Sequence, residues 1–252
     1  VEQLLKEQKT AFIQAQTGLG KTYGYLLPAL SMESEGGILV SVPTKILQNQ
    51  IMQEEGRRLK DTFHIDIHSL KGPQNYLKLD NFYKILHRPE SNRLFTRFKM
   101  QVLIWLTETE TGDLDEIGQL YRYQHFLAEL VHDGRLSKKS LFISEDFWQR
   151  SQDRSKSSRL LLTNHAYLVT RLEDDPEFVN NRLIIIDEAQ KMLIALENLA
   201  QESYLLESLV TQVQKSLETE KDLIQRRLLE SIGFECRYLI DQFYSGLKND
   251  KW

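Results

Sequence analysis

The sequence predicts an α/β fold: a parallel sheet bearing a phosphate-binding loop and a pair of acids, with a helical insertion and a helical C-terminal segment. Three observations predict it. The stretch AQTGLGKT, residues 15–22, stands between an apolar segment and a helical pattern. The stretch RLIIIDEAQ, residues 182–190, carries an apolar run that ends in two carboxylates. Between and after these stretches, apolar residues recur at helical spacing.

The bulk properties fit a globular chain. Its 252 residues suffice for one large domain or for one with an inserted second. Hydrophobic residues make up 41%, and the net charge of −4 gives no overall basic field, so any nucleic-acid site must be local. No apolar run approaches the roughly 20 residues of a membrane span. Cys236 is the one cysteine, which rules out an internal disulfide and any cysteine-ligated cluster and points to the cytoplasm. The first residue is Val, and the chain is read as a piece of a longer protein.

Thr10 to Ala15 reads as a short buried strand with Phe12 and Ile13 at its centre. Ala15, Gln16, Thr17, Gly18, Leu19, Gly20, Lys21 and Thr22 form the loop, and Tyr23, Leu26, Leu27 and Leu30 follow on a helical period. Gly18 and Gly20 let backbone approach an anion, and N–H groups at the helix start point towards phosphate. Lys21 is placed to reach the β- and γ-phosphates of a nucleotide, and the Thr22 hydroxyl to ligate Mg²⁺. Ala15 stands where the general pattern has Gly. The run Leu183 to Ile186 suits a strand buried on both faces of a parallel sheet. Asp187 and Glu188 then lie at its C-terminal end, where such sheets bind ligands. Asp187 can hold Mg²⁺, and Glu188 can orient and deprotonate a water.

These stretches resemble motifs I and II of superfamily-two helicases. GGILVSVPTKILQNQI, residues 36–51, resembles motif Ia. LKGPQNYLKL, residues 70–79, and RLLLTNHAYL, residues 159–168, narrow the likeness to the XPD/DinG helicases, including cluster-less relatives fused to a DnaQ-like exonuclease. The resemblance covers most of residues 10–195 and implies a RecA-like P-loop motor domain, with Pro43, Thr44 and Gln50 near a nucleic-acid backbone. It implies ATP and Mg²⁺ as cofactors and single-stranded DNA as partner. It also implies a second motor domain outside this chain and, in fused relatives, an exonuclease domain upstream.

Departures from the family pattern are local. Many relatives hold a [4Fe–4S] cluster on four cysteines between motifs Ia and II. Here Lys78 stands at the first such position and Asp146 near the last, so the insertion is expected to be helical and without a cluster. Gln190 replaces the usual His of motif II; it can hydrogen bond but not titrate. The expected division is a motor domain at 1–71 and 159–195, an insertion at 72–158, and the start of an arch-like helical segment at 196–252. In that last segment Leu199, Leu206, Leu209 and Val213 share one spacing, and Cys236 is read as packing.

Two weaker signals remain. From Lys71 to Lys99 there are seven Lys/Arg against Asp80 and Glu90, a net of +5, with Tyr76, Phe82, Tyr83, Phe95 and Phe98 interleaved. The cations suit either a strand-binding groove, with Lys78, Lys84 and Arg88 turned outward, or a solvated helix surface; the aromatics read as core. HIDIH, residues 64–68, reads as a strand with its isoleucines buried and His64, Asp66 and His68 on the wet side rather than as a metal site. Two functions compete: an ATP-hydrolysing DNA helicase motor, and a degenerate helicase body that binds ATP and single-stranded DNA while supporting an exonuclease.

With Cys236 as the only thiol, purified protein is expected to be colourless and free of stoichiometric iron. Absorbance spectroscopy and iron analysis after gel filtration check this.

Overall fold

The structure is a computed structural model that describes residues 1–3, 10–16, 19–32, 36–89, 92–117, 123–200, 206–220 and 222–249. The chain divides into two compact units, Val1–Leu199 and Ala200–Trp252.

A four-stranded parallel sheet organises the first unit. Its strands are β1 (Ile38–Val42), β2 (Ile67–Ser69), β3 (Leu160–Asn164) and β4 (Leu183–Ile186), in the order β2-β3-β1-β4. The two central strands, β1 and β3, are buried throughout, as their unbroken apolar runs require. Alternation sends Ile38, Val40 and Val42 to one face, where they meet Leu26, Ala29, Ile51 and Leu59. Those partners come from α1 (Lys21–Leu30), α2 (Lys45–Ile51) and α3 (Arg57–Phe63). Leu39 and Leu161 face the other way and pack with Leu70 and Leu168. Gly37 enters β1 at φ +79°, and a Cβ there would lie 2.9 Å from the Arg159 carbonyl oxygen, so only glycine fits where β1 and β3 begin.

Two strand expectations are corrected. Residues 10–16 form no strand, and Phe12 is 93% exposed. β4, the edge strand of the sheet, pairs only with β1, and residues 10–16 make no ladder with its outer side. β4 itself is not buried on both faces. Leu183 and Ile185 are half-buried, while Ile184 and Ile186 stay 42% and 40% exposed.

The insertion is helical, as its spacing predicts. Within it lie α4 (Leu79–His87), α5 (Arg93–Leu106), α6 (Gln124–Leu130) and α7 (Phe147–Ser157). Phe82, Phe95, Phe98 and Val102 form its core with Leu114 and Leu130. Phe95 and Phe126 meet with ring centroids 4.4 Å apart, and Phe98 and Tyr123 at 5.1 Å.

Polar contacts join the insertion to the sheet. Lys71, 1% exposed, places its ammonium 2.5 Å from Asp113 and 2.9 Å from Asp115. The Lys71 backbone N–H donates to the Tyr76 hydroxyl, which shares Ser151 with His68 Nε2, each at 2.9 Å. His68 therefore does not sit on a wet face as expected; α7 covers it. His64 instead caps α3 in the left-handed region, and Asp66 pairs with Arg154.

After β3 come α8 (His165–Asp174) and, after β4, α9 (Met192–Ala200). The second unit pairs α10 (Leu206–Thr219) with α11 (Leu223–Asn249). Val213 and Cys236 are buried there, and a Cβ on Gly233 would come within 3.1 Å of Val213. The side chains of Leu206 and Leu209 fall outside the described residues. Among the described residues no helix is long and apolar enough to cross a membrane.

Lys71→Ala leaves two carboxylates without their buried cation and is expected to cost about 3–5 kcal/mol of stability in urea unfolding. A second expectation concerns acid. Burial, then the Arg154 charge, lowers His68 from 6.5 to about 4. The unfolded chain thus takes up the proton first, so stability is full above pH 6.5 and falls as pH drops towards 4. His68→Asn should flatten that slope in unfolding measured across the same range.

Candidate nucleotide site

The C-terminal ends of β1, β3 and β4 share one sheet edge, because the strands are parallel and in register there: Ser41 pairs with Thr163 on one side and Ile186 on the other. This brings Pro43–Thr44, His165 and Asp187–Glu188 together from three distant stretches.

The loop reaches the same edge through α1. Gly20 takes φ +69° as the residue before the helix, and a Cβ there would meet nothing within 4 Å. The space before the helix start is open, and its first-turn N–H groups carry no side-chain cap. Lys21 and Thr22 are half-buried in that turn; Ala15, Gln16 and Leu19 are exposed. Thr17 and Gly18 lie outside the described residues. Tyr25, one turn after Thr22, donates its hydroxyl to Asp187 Oδ2 at 3.4 Å. Burial and then the Asp187 charge push the Tyr25 hydroxyl well above its ordinary range. Tyr25 thus ties the helix that starts at Lys21 to Asp187.

The acids sit in a constrained turn. The Asp187 N–H donates to the Ser41 carbonyl at 2.9 Å. Glu188 adopts φ +51°, a left-handed value that non-glycine residues rarely take. Its carboxylate lies 2.6 Å from Lys191; that contact first, then the charges of Lys191 and Lys21, holds it below the usual carboxylate range despite some burial. Gln190 is exposed in the short 3₁₀ turn Ala189–Lys191.

Beside them, Thr44 caps α2, its hydroxyl oxygen accepting from Leu47 N–H at 3.2 Å. Thr44 and Gln50 are exposed and Pro43 is half-buried. Gln48, two residues before Gln50, is fully buried. Its amide nitrogen lies within 3.1 Å of Ser69 Oγ and the Leu70 and Leu162 carbonyls, and its Oε1 accepts from Asn164. Periodicity gave no sign of Gln48, because a buried amide satisfied by strand carbonyls looks like any surface glutamine in sequence. Tyr25 had a weak signal, its i+3 spacing from Thr22.

The basic run does not form one outward track. Lys78 was expected to point outward; instead it is 12% exposed, donating to Asp133 at 2.5 Å and to the Arg135 carbonyl at 3.0 Å. Its neighbour Asp146 lies 3.2 Å from the buried His132. Lys71 and Lys99 are buried as well, and Arg88 pairs with Glu129. Lys84, Arg93 and Arg97 remain exposed. Tyr76, Phe82, Phe95 and Phe98 are core; Tyr83 is 43% exposed and meets Phe142. Among the described residues, no three His, Cys, Asp or Glu side chains are grouped to hold a metal ion.

Residues 1–109 match the DEAD/DEAH box helicase family. A protein named 3'-5' exonuclease DinG from Bacillus subtilis (strain 168) is 34% identical over 193 residues, covering 71% of this chain and 20% of that protein. Its namesake from Staphylococcus saprophyticus is 32% identical over 200 residues, covering 76% of this chain and 21% of that protein. The chain thus spans about a fifth of the length of these curated relatives. A solved structure titled "Truncated XPD" aligns over 91% of this chain and 61% of its own, with TM-score 0.49 and 15% identity. On the sequence matches, the chain carries a DEAD/DEAH box helicase domain over residues 1–109 and is a homologue of the DinG proteins.

Proposed function

We propose that this chain is the ATP-binding part of a DinG-like DNA helicase motor that works on single-stranded DNA. The observation that carries the reading is the hydrogen bond of Tyr25 to Asp187, which brings the helix that follows the phosphate loop to an acid far along the chain. The residues fit the ligand. Gly20 leaves open space before a ten-residue helix, and Lys21 stands close enough to Glu188 to act on its charge. In this reading the loop N–H groups and Lys21 bind the phosphates, and Thr22 and Asp187 hold Mg²⁺. The ion neutralises phosphate charge when bound. Glu188, kept ionised by its cationic neighbours, orients the attacking water and accepts its proton.

Pro43, Thr44 and Gln50, on the same sheet edge, are proposed to hold DNA phosphates without reading bases. Lys84 and Arg88 are proposed as further phosphate contacts, with Arg88 exchanging its pair with Glu129 for the strand. Residues 1–71 and 159–195 would be the motor domain, 72–158 its insertion and 196–252 the start of an arch-like segment. The setting of the reaction is taken as the cytoplasm.

A second reading has one specific support: the relatives are named for 3'-5' exonuclease activity, and this chain covers a fifth of them. In that reading this part binds ATP and DNA to serve a nuclease elsewhere in the protein. ATP-driven strand separation by the full-length protein separates the two readings.

Lys21→Ala in the full-length protein should weaken Mg²⁺·ATP binding at least about tenfold by calorimetry, since it removes the cation of the phosphate loop. Equal affinities would refute the site.

A further inference from the structure

His165 belongs to a stretch that narrowed the family resemblance, TNHAYL, yet nothing above gives it a task. It opens α8 directly after β3 and is 1% exposed. Its Nδ1 lies 2.7 Å from Ser41 Oγ in a fully buried contact. Its Nε2 is also buried and has no hydrogen-bond partner. An imidazole nitrogen left in that state loses its hydration without a replacement. A side chain that served only as packing would be cheaper as Leu or Phe.

The surroundings show which way the free nitrogen is directed. Burial lowers the pKa of the ring, and its contact with the backbone of Asp187 and Glu188 acts in the opposite direction, as carbonyl oxygens do. The consistent tautomer therefore carries its proton on Nε2, with the Ser41 hydroxyl donating to Nδ1. Ser41 meets the turn a second time, since its carbonyl accepts from the Asp187 N–H at 2.9 Å. Glu188, the next residue, is in the left-handed region at φ +51°. A strained residue and an unpartnered donor thus stand side by side in this turn, and such strain persists only where the surroundings hold it.

We propose that His165 is the positioning residue of the Asp187–Glu188 turn: an Nε2–H···O=C bond to that turn sets Glu188 for hydrolysis, and Ser41, two residues before Pro43, joins it to the Pro43–Thr44 loop. The proposal rests on the reading of Asp187 and Glu188 as the hydrolytic pair. His165 itself touches no reacting atom. Its contribution is to kcat, because the phosphate loop binds ATP without it.

The test uses full-length protein with His165→Ala, His165→Gln and Ser41→Ala, read by hydrogen–deuterium exchange, ATP affinity and steady-state hydrolysis. His165→Ala should keep ATP affinity within about twofold while kcat falls at least about tenfold. Exchange should rise in the peptide over residues 186–192 and not in peptides from β1 and β3. His165→Gln, whose amide N–H can stand in for Nε2–H, should recover most of the rate and the protection, and Ser41→Ala should lie between. Wild-type kcat and exchange in His165→Ala would overturn the proposal, as would His165→Gln behaving no better than His165→Ala. If His165→Ala disturbs β1 and β3 as well, His165→Gln decides: wild-type protection at residues 186–192 supports the proposal, and selective loss there overturns it. If wild-type protein binds no ATP, the reading of the site fails by itself, while exchange over residues 186–192 still decides the role of His165.

Discussion

A buried ammonium governs how the two halves of the first unit meet. Lys71 stands where the chain leaves the sheet for the insertion, and almost none of it touches water. Removing such a charge from solvent costs several kcal/mol unless opposite charge comes with it. Asp113 and Asp115 bring that charge from the far side of α5, so the insertion must fold back onto β2 before Lys71 can be enclosed. Desolvation pushes the Asp113 carboxyl up even beside the ammonium, a sign of how dry the junction is. The Tyr76–Ser151–His68 chain then fastens α7 to the same strand, and Asn75 holds Lys45 of α2 at 2.6 Å. The insertion is thereby fixed to the strand edge and to the helix that follows the Pro43–Thr44 loop.

On the other side of the sheet the governing fact is parallel register. Three strands end level, so backbone groups of Ser41, Asn164 and Asp187 fall within reach of one another. Gln48 and Asn164 fill the space beneath them with amides whose partners are strand carbonyls and each other. A site built on such ends is rigid on the strand side and adjustable on the turn side, where Glu188 carries the strain.

Much of this was legible in the sequence. The helix from Lys21, the strand that ends before Asp187–Glu188 and the helical spacing of the insertion each rest on local pattern, and local pattern survives folding. What failed depended on partners that sequence cannot name. Phe12 and Ile13 read as buried, but a strand is buried only where a neighbour pairs with it. Lys78 read as outward because a lone cation avoids burial; Asp133, 55 residues away, removes that objection. Gln48 and His165 were invisible as network members for the same reason, since a polar residue shows its burial only through groups remote in sequence.

The outer edge of β4 has a consequence for handling the molecule. Its backbone groups on that side meet no ladder among the described residues, and Ile184 and Ile186 lie open beside them. Such an edge is a template for any extended chain, including another copy of the same one. Self-association through strand addition is then second order in protein, and short segments that mimic a β-strand compete with it. Association of that kind depends on the residues of one strand rather than on the net charge of −4.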